Sequence, residues 1–282
     1  MNVVESLSKA TGFLDKHDIK SPRLNAELLL AHILRLSRVE LYTSYDRNLS
    51  ETEADRFKVM LMQRSGGYPL QYLTCEAGFR SQIYEVRQGA FIPRPETESL
   101  VEKALGMLPD DRPVKVLDVG TGVGNIAISI ALECVRAQVL ASDVNAAALV
   151  LCDRNAQKLG VSDRVRTVPG DLYEPAAAGE LFDLIISNPP YIDRSEADAL
   201  DFEVREFEPP DALFAGGEGL AVIERLVADA RDRLVPGGIL ACEIGDRQGP
   251  RVRALFESAG FSCVELSVDL AERDRVATGR SD

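Results

Sequence analysis

From Met1 to about Cys75 the apolar residues return at intervals of three and four, the spacing of helices that bury one face. In SPRLNAELLLAHILRL, Ser21 is placed to cap, Pro22 suits the first helical position, and Leu24, Leu28, Ala31 and Leu34 fall on a common face. Ser50 and Glu53 have the S-x-x-E spacing of a capping box. The helix they announce runs through Phe57, Met60 and Leu61 and stops at Gly66-Gly67. A small helical domain is predicted over residues 1–75. The stretch GFRSQIYEVRQGAFI, Gly78 to Ile92, alternates in strand fashion around Gly89 and predicts a β-hairpin leading into the linker PRPETE; hairpin and linker together fill residues 76–98.

From residue 99 to 282 the rhythm becomes strand, helix, strand, helix. The strands are VKVLDVG, from 115 onward in its core, VLASD from Val139, RVRTV from Arg164, FDLIISN from Phe182 and GILACEI from Gly238; helices start at Asn125, Ala146, Glu218 and Gln248. Alternation of this kind predicts an α/β domain with a mostly parallel, doubly wound sheet. Ligands of such sheets bind beyond the carboxyl ends of the strands, at the switch point of strand order. Chemistry is therefore to be sought just after each strand.

The first strand ends in LDVGTGVGNIAI, with Asp118, Gly120, Gly122 and Gly124 spaced G-x-G-x-G; Asn125 stands where a dinucleotide fingerprint requires its third glycine, so that template fails. A turn poor in Cβ atoms lets a ligand approach the backbone, and an acid there suits an ammonium group better than a pyrophosphate. The second strand ends at Asp143, an acid placed to accept hydrogen bonds from two ribose hydroxyls. The third runs into GDLYEP, which puts Asp171 and Leu172 beside the same crevice, at an adenine edge and face. Any one of these acids is ordinarily a cap or a solvated turn residue; three consecutive strand tips describe a nucleoside pocket with an amino-acid end.

The fourth tip is the stretch ISNPPYID, where a buried strand stops at Asn188-Pro189-Pro190-Tyr191. Asn188 offers an amide oxygen and Pro189 a carbonyl, while the prolines remove donors and stiffen the frame. Two converging acceptors are what a planar NH2 group needs. Its lone pair is conjugated and weakly nucleophilic, and holding both hydrogens aims that pair at an electrophile. Tyr191 supplies a ring to pack on the planar group and exclude water. The bland alternative is a turn in which Asn caps and proline ends the strand.

Composition narrows the partners. The net charge of -13 is uneven, because residues 1–75 hold ten Lys and Arg against nine Asp and Glu, which leaves -14 for the remainder. An acidic surface disfavours stable nucleic-acid binding and favours a protein or small-molecule partner. Residues 192–211 alone carry eight acids and two arginines, either a solvated loop or a rim that steers a basic surface. Five scattered cysteines without a C-x-x-C pair suggest buried reduced thiols and no metal site. The histidines, His17 and His32, both fall in the helical domain, which excludes a histidine triad from the α/β domain. With no apolar run of membrane-spanning length and no basic-then-apolar N-terminus, a cytoplasmic protein without a membrane partner is expected.

The chain resembles the class I S-adenosylmethionine-dependent methyltransferases, and more narrowly the HemK/PrmC family of protein-(glutamine-N5) methyltransferases acting on peptide chain release factors. The likeness covers nearly the whole chain and rests on PLQYL (69–73), FIPRPETE (91–98), LDVGTGVGNIAI (117–128), SNPPYI (187–192), EPPDALFAGGEGL (208–220), LVPGGILACEIGDRQG (234–249) and DLAERDRVATGR (269–280). It implies a Rossmann-like doubly wound sheet with an N-terminal helical domain that docks the release factor. It also implies that Gly120, Thr121, Gly122, Val123 and Gly124 hold the methionine part of S-adenosyl-L-methionine, Asp143 its ribose, and Asp171 and Leu172 its adenine. Asn188 would serve both the cofactor and, with Pro189, Pro190 and Tyr191, the amide of the glutamine in a Gly-Gly-Gln loop. A monomer is expected. Three residues depart from the family pattern: Leu172 where an aromatic is frequent, and Cys75 and Glu272 where glycine is common. The rival readings are a nucleic-acid amino-methyltransferase, which should show a basic groove, and a binding module that has kept the fold without the chemistry.

Overall fold

The computed structural model describes residues 1–269 and 271–282; Leu270, within the DLAERDRVATGR stretch, lies outside the described residues. The chain forms two compact units. One comprises Met1–Glu76 with Asp201–Phe207, the other Ala77–Leu200 with Glu208–Asp282.

The first unit is helical: α1 (Val3–Asp15), α2 (Pro22–Leu34), α3 (Arg38–Thr43), α4 (Glu51–Ser65) and α5 (Leu70–Thr74), joined by the short helix Phe202–Phe207. The capping box at Ser50 and Glu53 forms, and α4 ends at Gly66. At α2 the structure corrects two expectations. Ser21 lies in the left-handed region at φ 53° and its hydroxyl makes no capping bond; the Asn25 side chain instead donates to the Lys20 and Ser21 carbonyls. The buried positions are Ala26, Leu29, Leu30, Ala31, Ile33 and Leu34, while Leu24 is 38% exposed. A helix apolar round most of its girth permits more than one stripe, and packing against α1 and α4 selects which residues are covered. Buried Glu27 is satisfied by Arg23, Arg38 and Tyr42. The segment Asp201–Phe207, read from sequence as part of a loop, is tied into this unit by ion pairs of Asp201 with Lys20 and Glu203 with Arg64, and by the Phe207 ring 5.1 Å from Tyr68.

The second unit opens with the hairpin β1 (Glu76–Phe79) and β2 (Gln82–Glu85). Its turn is Arg80-Ser81, both at positive φ as two-residue hairpins require, and not Gly89, which follows the second strand. Next come α6 (Thr97–Leu105), β3 (Val114–Val119), α7 (Asn125–Glu133), β4 (Ala137–Asp143), α8 (Ala146–Lys158), β5 (Val165–Pro169) and β6 (Phe182–Ser187). Phe202–Phe207 is α9, and the chain continues through α10 (Pro210–Leu213), α11 (Ala221–Ala230), β7 (Leu234–Glu243), α12 (Gly249–Ser258), β8 (Ser262–Val268) and β9 (Asp274–Arg280). Glu218, expected to start a helix, sits at φ 58°, and α11 begins three residues later.

The seven-stranded sheet has the order β5-β4-β3-β6-β7-β9-β8, parallel except for β9, which runs antiparallel to both its neighbours. Neighbouring residues on a strand feed opposite cores: Val116, Ile186 and Ala241 face a layer with Ile126, Ile130 and Leu100, whereas Leu117, Ile185 and Leu240 face one with Leu226, Val252 and Phe256. Order reverses between β3 and β6, so the glycine turn and the NPPY turn emerge side by side at the switch point. Of the cysteines, Cys152 and Cys242 are buried thiols as expected, but Cys263 is exposed.

Candidate active site

The glycine turn is built from the inside out. Asp118, at the end of β3, is fully buried; its Oδ2 accepts from Thr121 Oγ1 at 2.6 Å and from the Ala127 backbone N–H at 3.1 Å, which fastens the turn to the first residues of α7. Its Oδ1 has no partner among the described residues, and complete burial pushes its pKa up to about 7. Asp118 thus braces the turn and does not line a ligand surface. Thr121 is fixed again by its N–H to the Ser142 carbonyl at 2.8 Å, and the Val123 carbonyl is taken by Asn155 at 2.9 Å.

Asp143 joins the turn to the next strand tip. Its Oδ2 accepts the Gly122 N–H and its Oδ1 the Asn145 N–H, each at 2.8 Å. The carboxyl is half-buried, and desolvation raises its pKa against those two bonds. A Cβ on Gly120 or Gly122 would meet nothing within 4 Å, so open space lies over these two residues. Gly124 is different. A Cβ there would come within 2.5 Å of Cys152 Sγ and 2.9 Å of Ile128 Cδ1, so that glycine serves packing. At the third tip the Asp171 carboxylate pairs with Arg225, and Leu172, at φ 47°, is buried in the core.

The NPPY turn is anchored at both ends. Ser187 Oγ donates to the Val119 carbonyl at 2.7 Å, and no peptide bond is cis among the described residues. Asn188 Nδ2 donates to Thr97 Oγ1 at 3.0 Å; no hydrogen bond among the described residues engages its Oδ1. Pro189 is buried, Asn188 and Pro190 half-buried. Tyr191 packs its ring against the core and donates its hydroxyl to Glu243 Oε1 at 3.0 Å. Burial raises the pKa of Tyr191 far above the phenol value, so it remains a donor. Gln248 Nε2 holds the Tyr191 carbonyl at 3.0 Å.

The sequence pattern does not single out Thr97 or Glu243, and it marks Glu208 only as one acid of residues 192–211 and of the EPPDAL motif. Thr97 stands in PRPETE between Glu96 and Glu98, and Glu98 accepts the Arg80 N–H at the hairpin turn. Glu243 read as the end of an apolar strand. Glu208 of EPPDAL is 4% exposed, pairs with Arg94 of PRPETE and accepts the Ile92 N–H, so two motifs far apart in sequence form one clamp. A carboxylate inside an otherwise apolar run was the available signal for Glu243. The acidic rim of residues 192–211 is also thinner than composition implied: Asp193, Asp201, Glu203, Glu206 and Glu208 are all engaged internally. A cavity of about 370 Å³ between Arg80, Ser81, Glu98 and Glu133 shares no residue with the strand tips.

This sheet, with its glycine turn and NPPY turn meeting at the switch point, is the fold of the Rossmann-like methyltransferases. A Pyrococcus furiosus methyltransferase superposes with a TM-score of 0.52 at 19% identity, over 70% of this chain and 87% of that one. A T. thermophilus 16S rRNA methyltransferase, solved in complex with AdoMet and guanosine, superposes with a TM-score of 0.54 at 20% identity, over 73% and 50%. Residues 5–74 match the family described as PrmC N-terminal domain, and residues 100–206 the Methyltransferase small domain. The release factor glutamine methyltransferase of Rhodopirellula baltica is 39% identical, covering 97% of this chain and 94% of its own length. That of Xylella fastidiosa (strain Temecula1) is 44% identical over 92% and 93%. The chain belongs to the release factor glutamine methyltransferase family.

Proposed function

We propose that the chain transfers a methyl group from S-adenosyl-L-methionine to the side-chain amide nitrogen, N5, of the glutamine in the Gly-Gly-Gln loop of peptide chain release factors. The observation that carries this reading is the Asn188 amide, held by its nitrogen so that its oxygen is left to accept, beside a proline turn that presents carbonyls without N–H groups.

The residues present fit the cofactor. Open space over Gly120 and Gly122 admits the methionine part between Thr121 and Val123, with Gly124 setting the turn; Asp143 retains lone pairs for ribose hydroxyls after accepting two N–H groups; the adenine end is assigned to the third strand tip, where Asp171 is already paired with Arg225 and Leu172 is buried. When bound, the cofactor supplies an electrophilic methyl carbon. Asn188 Oδ1 and the Pro189 carbonyl accept the two hydrogens of the substrate NH2, Pro190 stiffens the turn, and Tyr191 closes the pocket against water. The amide nitrogen gains the methyl as one of its protons leaves to water, so no strong base is needed.

The helical unit docks the release factor, the enzyme acts as a monomer, and an acidic surface holds no nucleic acid stably. No helix among the described residues is long and apolar enough to cross a membrane, in keeping with a cytoplasmic substrate. The test is mass spectrometry of a release factor incubated with enzyme and cofactor. One added methyl on the loop glutamine is expected; methylation of any other residue in its place would refute the assignment.

A further inference from the structure

The tyrosine that ends the NPPY turn is held by its backbone as well as by its ring. Gln248, at the head of α12, uses both ends of one side-chain amide: its Oε1 accepts the Gly245 N–H at 2.9 Å and its Nε2 donates to the Tyr191 carbonyl at 3.0 Å. The loop before α11 presses on the same atom. Gly219 is buried at φ 81°, and a Cβ on it would overlap the Tyr191 carbonyl oxygen and come within 2.8 Å of Gln248 Nε2. One residue further on, Ile192 is bonded to the end of α10: its N–H donates to the Leu213 carbonyl at 3.1 Å and its carbonyl accepts the Ala215 N–H at 2.9 Å. Upstream, Ser187 is tied to Val119 at 2.7 Å. The acceptors Asn188 and Pro189 therefore lie on a short span between two fixed points.

Such a span has little freedom of its own. Proline fixes φ at about −65°, and a residue before proline is confined to extended backbone, so few soft dihedrals separate the Pro189 carbonyl from the Tyr191 carbonyl. A shift at Tyr191 is passed on to Pro189 more than it is absorbed. We propose that Gln248 and Gly219 are positioning residues for methyl transfer: the Gln248 donor and the bare Gly219 backbone seat the Tyr191 carbonyl, and through the two prolines they set where the Pro189 carbonyl meets the substrate NH2. A role is thereby given to the stretches AGGEGL and EIGDRQG, to which the methyl-transfer geometry assigns none. The inference rests on the reading of Asn188 and Pro189 as acceptors for the substrate amide.

Three variants separate seating from simple loss of stability. Gln248→Glu, assayed at about pH 8 where a carboxylate is ionised, keeps the acceptor for Gly245 and removes the donor to Tyr191. Gly219→Ala pushes on the Tyr191 carbonyl. Gly217→Ala, in the same loop at φ 62°, carries the same kind of backbone strain, but its Cβ would lie nearest Ala221. Cofactor Kd, release factor KM, kcat and melting temperature are read for each, with Asn188→Ala beside them. A small misplacement of a reacting group costs up to about a hundredfold in rate, so kcat should fall about tenfold or more in Gln248→Glu and Gly219→Ala and stay within about twofold of wild type in Gly217→Ala. Cofactor Kd and release factor KM should be unchanged. Because both perturbations act on one carbonyl, the double variant of Gln248→Glu with Gly219→Ala should lose less than the product of the single losses. Wild-type kcat in Gln248→Glu, equal kcat losses in Gly217→Ala and Gly219→Ala, or losses that multiply in the double variant would each overturn the positioning role. Should Gly219→Ala fail to fold, Gln248→Glu decides alone: a lost rate at unaltered cofactor Kd supports the role, and a wild-type rate overturns it. If Asn188→Ala itself keeps the wild-type rate, the acceptor reading has failed; if it loses the rate while Gln248→Glu and Gly219→Ala keep theirs, only the positioning role has.

Discussion

Replacing Asp143 by alanine perturbs the cofactor end of the site and leaves the NPPY turn untouched. The carboxylate makes two bonds of 2.8 Å, to the N–H groups of Gly122 and Asn145. Hydrogen bonds to a charged group contribute about 1.5–3 kcal/mol each, so removing both, with water replacing part of the loss at a half-buried position, should cost about 2–4 kcal/mol of stability. If the same carboxylate accepts ribose hydroxyls, cofactor binding loses at least one further bond of that strength, roughly 10- to 100-fold in Kd. Titration calorimetry with S-adenosyl-L-methionine measures Kd, and rates at saturating cofactor should recover to within a few-fold of wild type. An unchanged Kd, or a loss confined to kcat, would refute the ribose assignment. The wild-type protein adds a check through pH. Burial holds the Asp143 pKa above the ordinary aspartate value, so affinity should begin to weaken, as pH falls, at a higher pH than an ordinary aspartate would set.

Other predictions follow from the same geometry. Asn188→Ala should bind cofactor normally and lose most turnover, and unchanged turnover would sink the acceptor clamp. Gly122→Ala, at φ 57° with open space around it, should cost about 1–2 kcal/mol of stability while weakening cofactor binding strongly; Gly124→Ala, forced against Cys152, should lose more stability, so equal denaturation midpoints would contradict the packing. For Asp118 the folded pKa of about 7 lies above the ordinary aspartate value of 3.8, so its contribution to stability is full below the lower value and is lost as pH rises through the higher. That slope amounts to at most about 4 kcal/mol, and Asp118→Asn should remove it from urea midpoints measured across the window; an unaltered slope would refute the assignment. Glu272→Gly, at an exposed position with φ 59°, should stabilise the chain by up to about 1 kcal/mol on thermal melting, and a lowered melting temperature would count against backbone strain there.

The parallel sheet was legible because each strand is a short apolar run and each strand tip carries residues that have no reason to end a core strand: the Gly120–Gly124 turn, Asp143 and Asn188-Pro189. The hairpin was legible as a hairpin but not in its turn, since Arg80 and Ser81 adopt positive φ without being glycine while Gly89 drew the eye. The stripe of α2 could not be chosen from periodicity because both of its sides are apolar. The three residues noted as departures, Cys75, Leu172 and Glu272, prove to share one property, a positive φ of 62°, 47° and 59°. At Cys75 and Glu272 this gives the physical reason why glycine suits the position. Thr97, Glu208 and Glu243 stayed hidden because their roles come from partners distant in sequence: Asn188 for Thr97, Ile92 and Arg94 for Glu208, Tyr191 for Glu243.

The measurement closest to the central claim is transfer of labelled methyl from S-adenosyl-L-methionine in one mixture holding a release factor, a copy with its loop glutamine changed to alanine, ribosomal RNA and duplex DNA. Label on the intact release factor alone is the predicted result, since the acceptor pair at Asn188 and Pro189 would then be holding an amide NH2. Label on either nucleic acid, with the release factor unmodified, would keep the fold and the clamp and contradict the substrate.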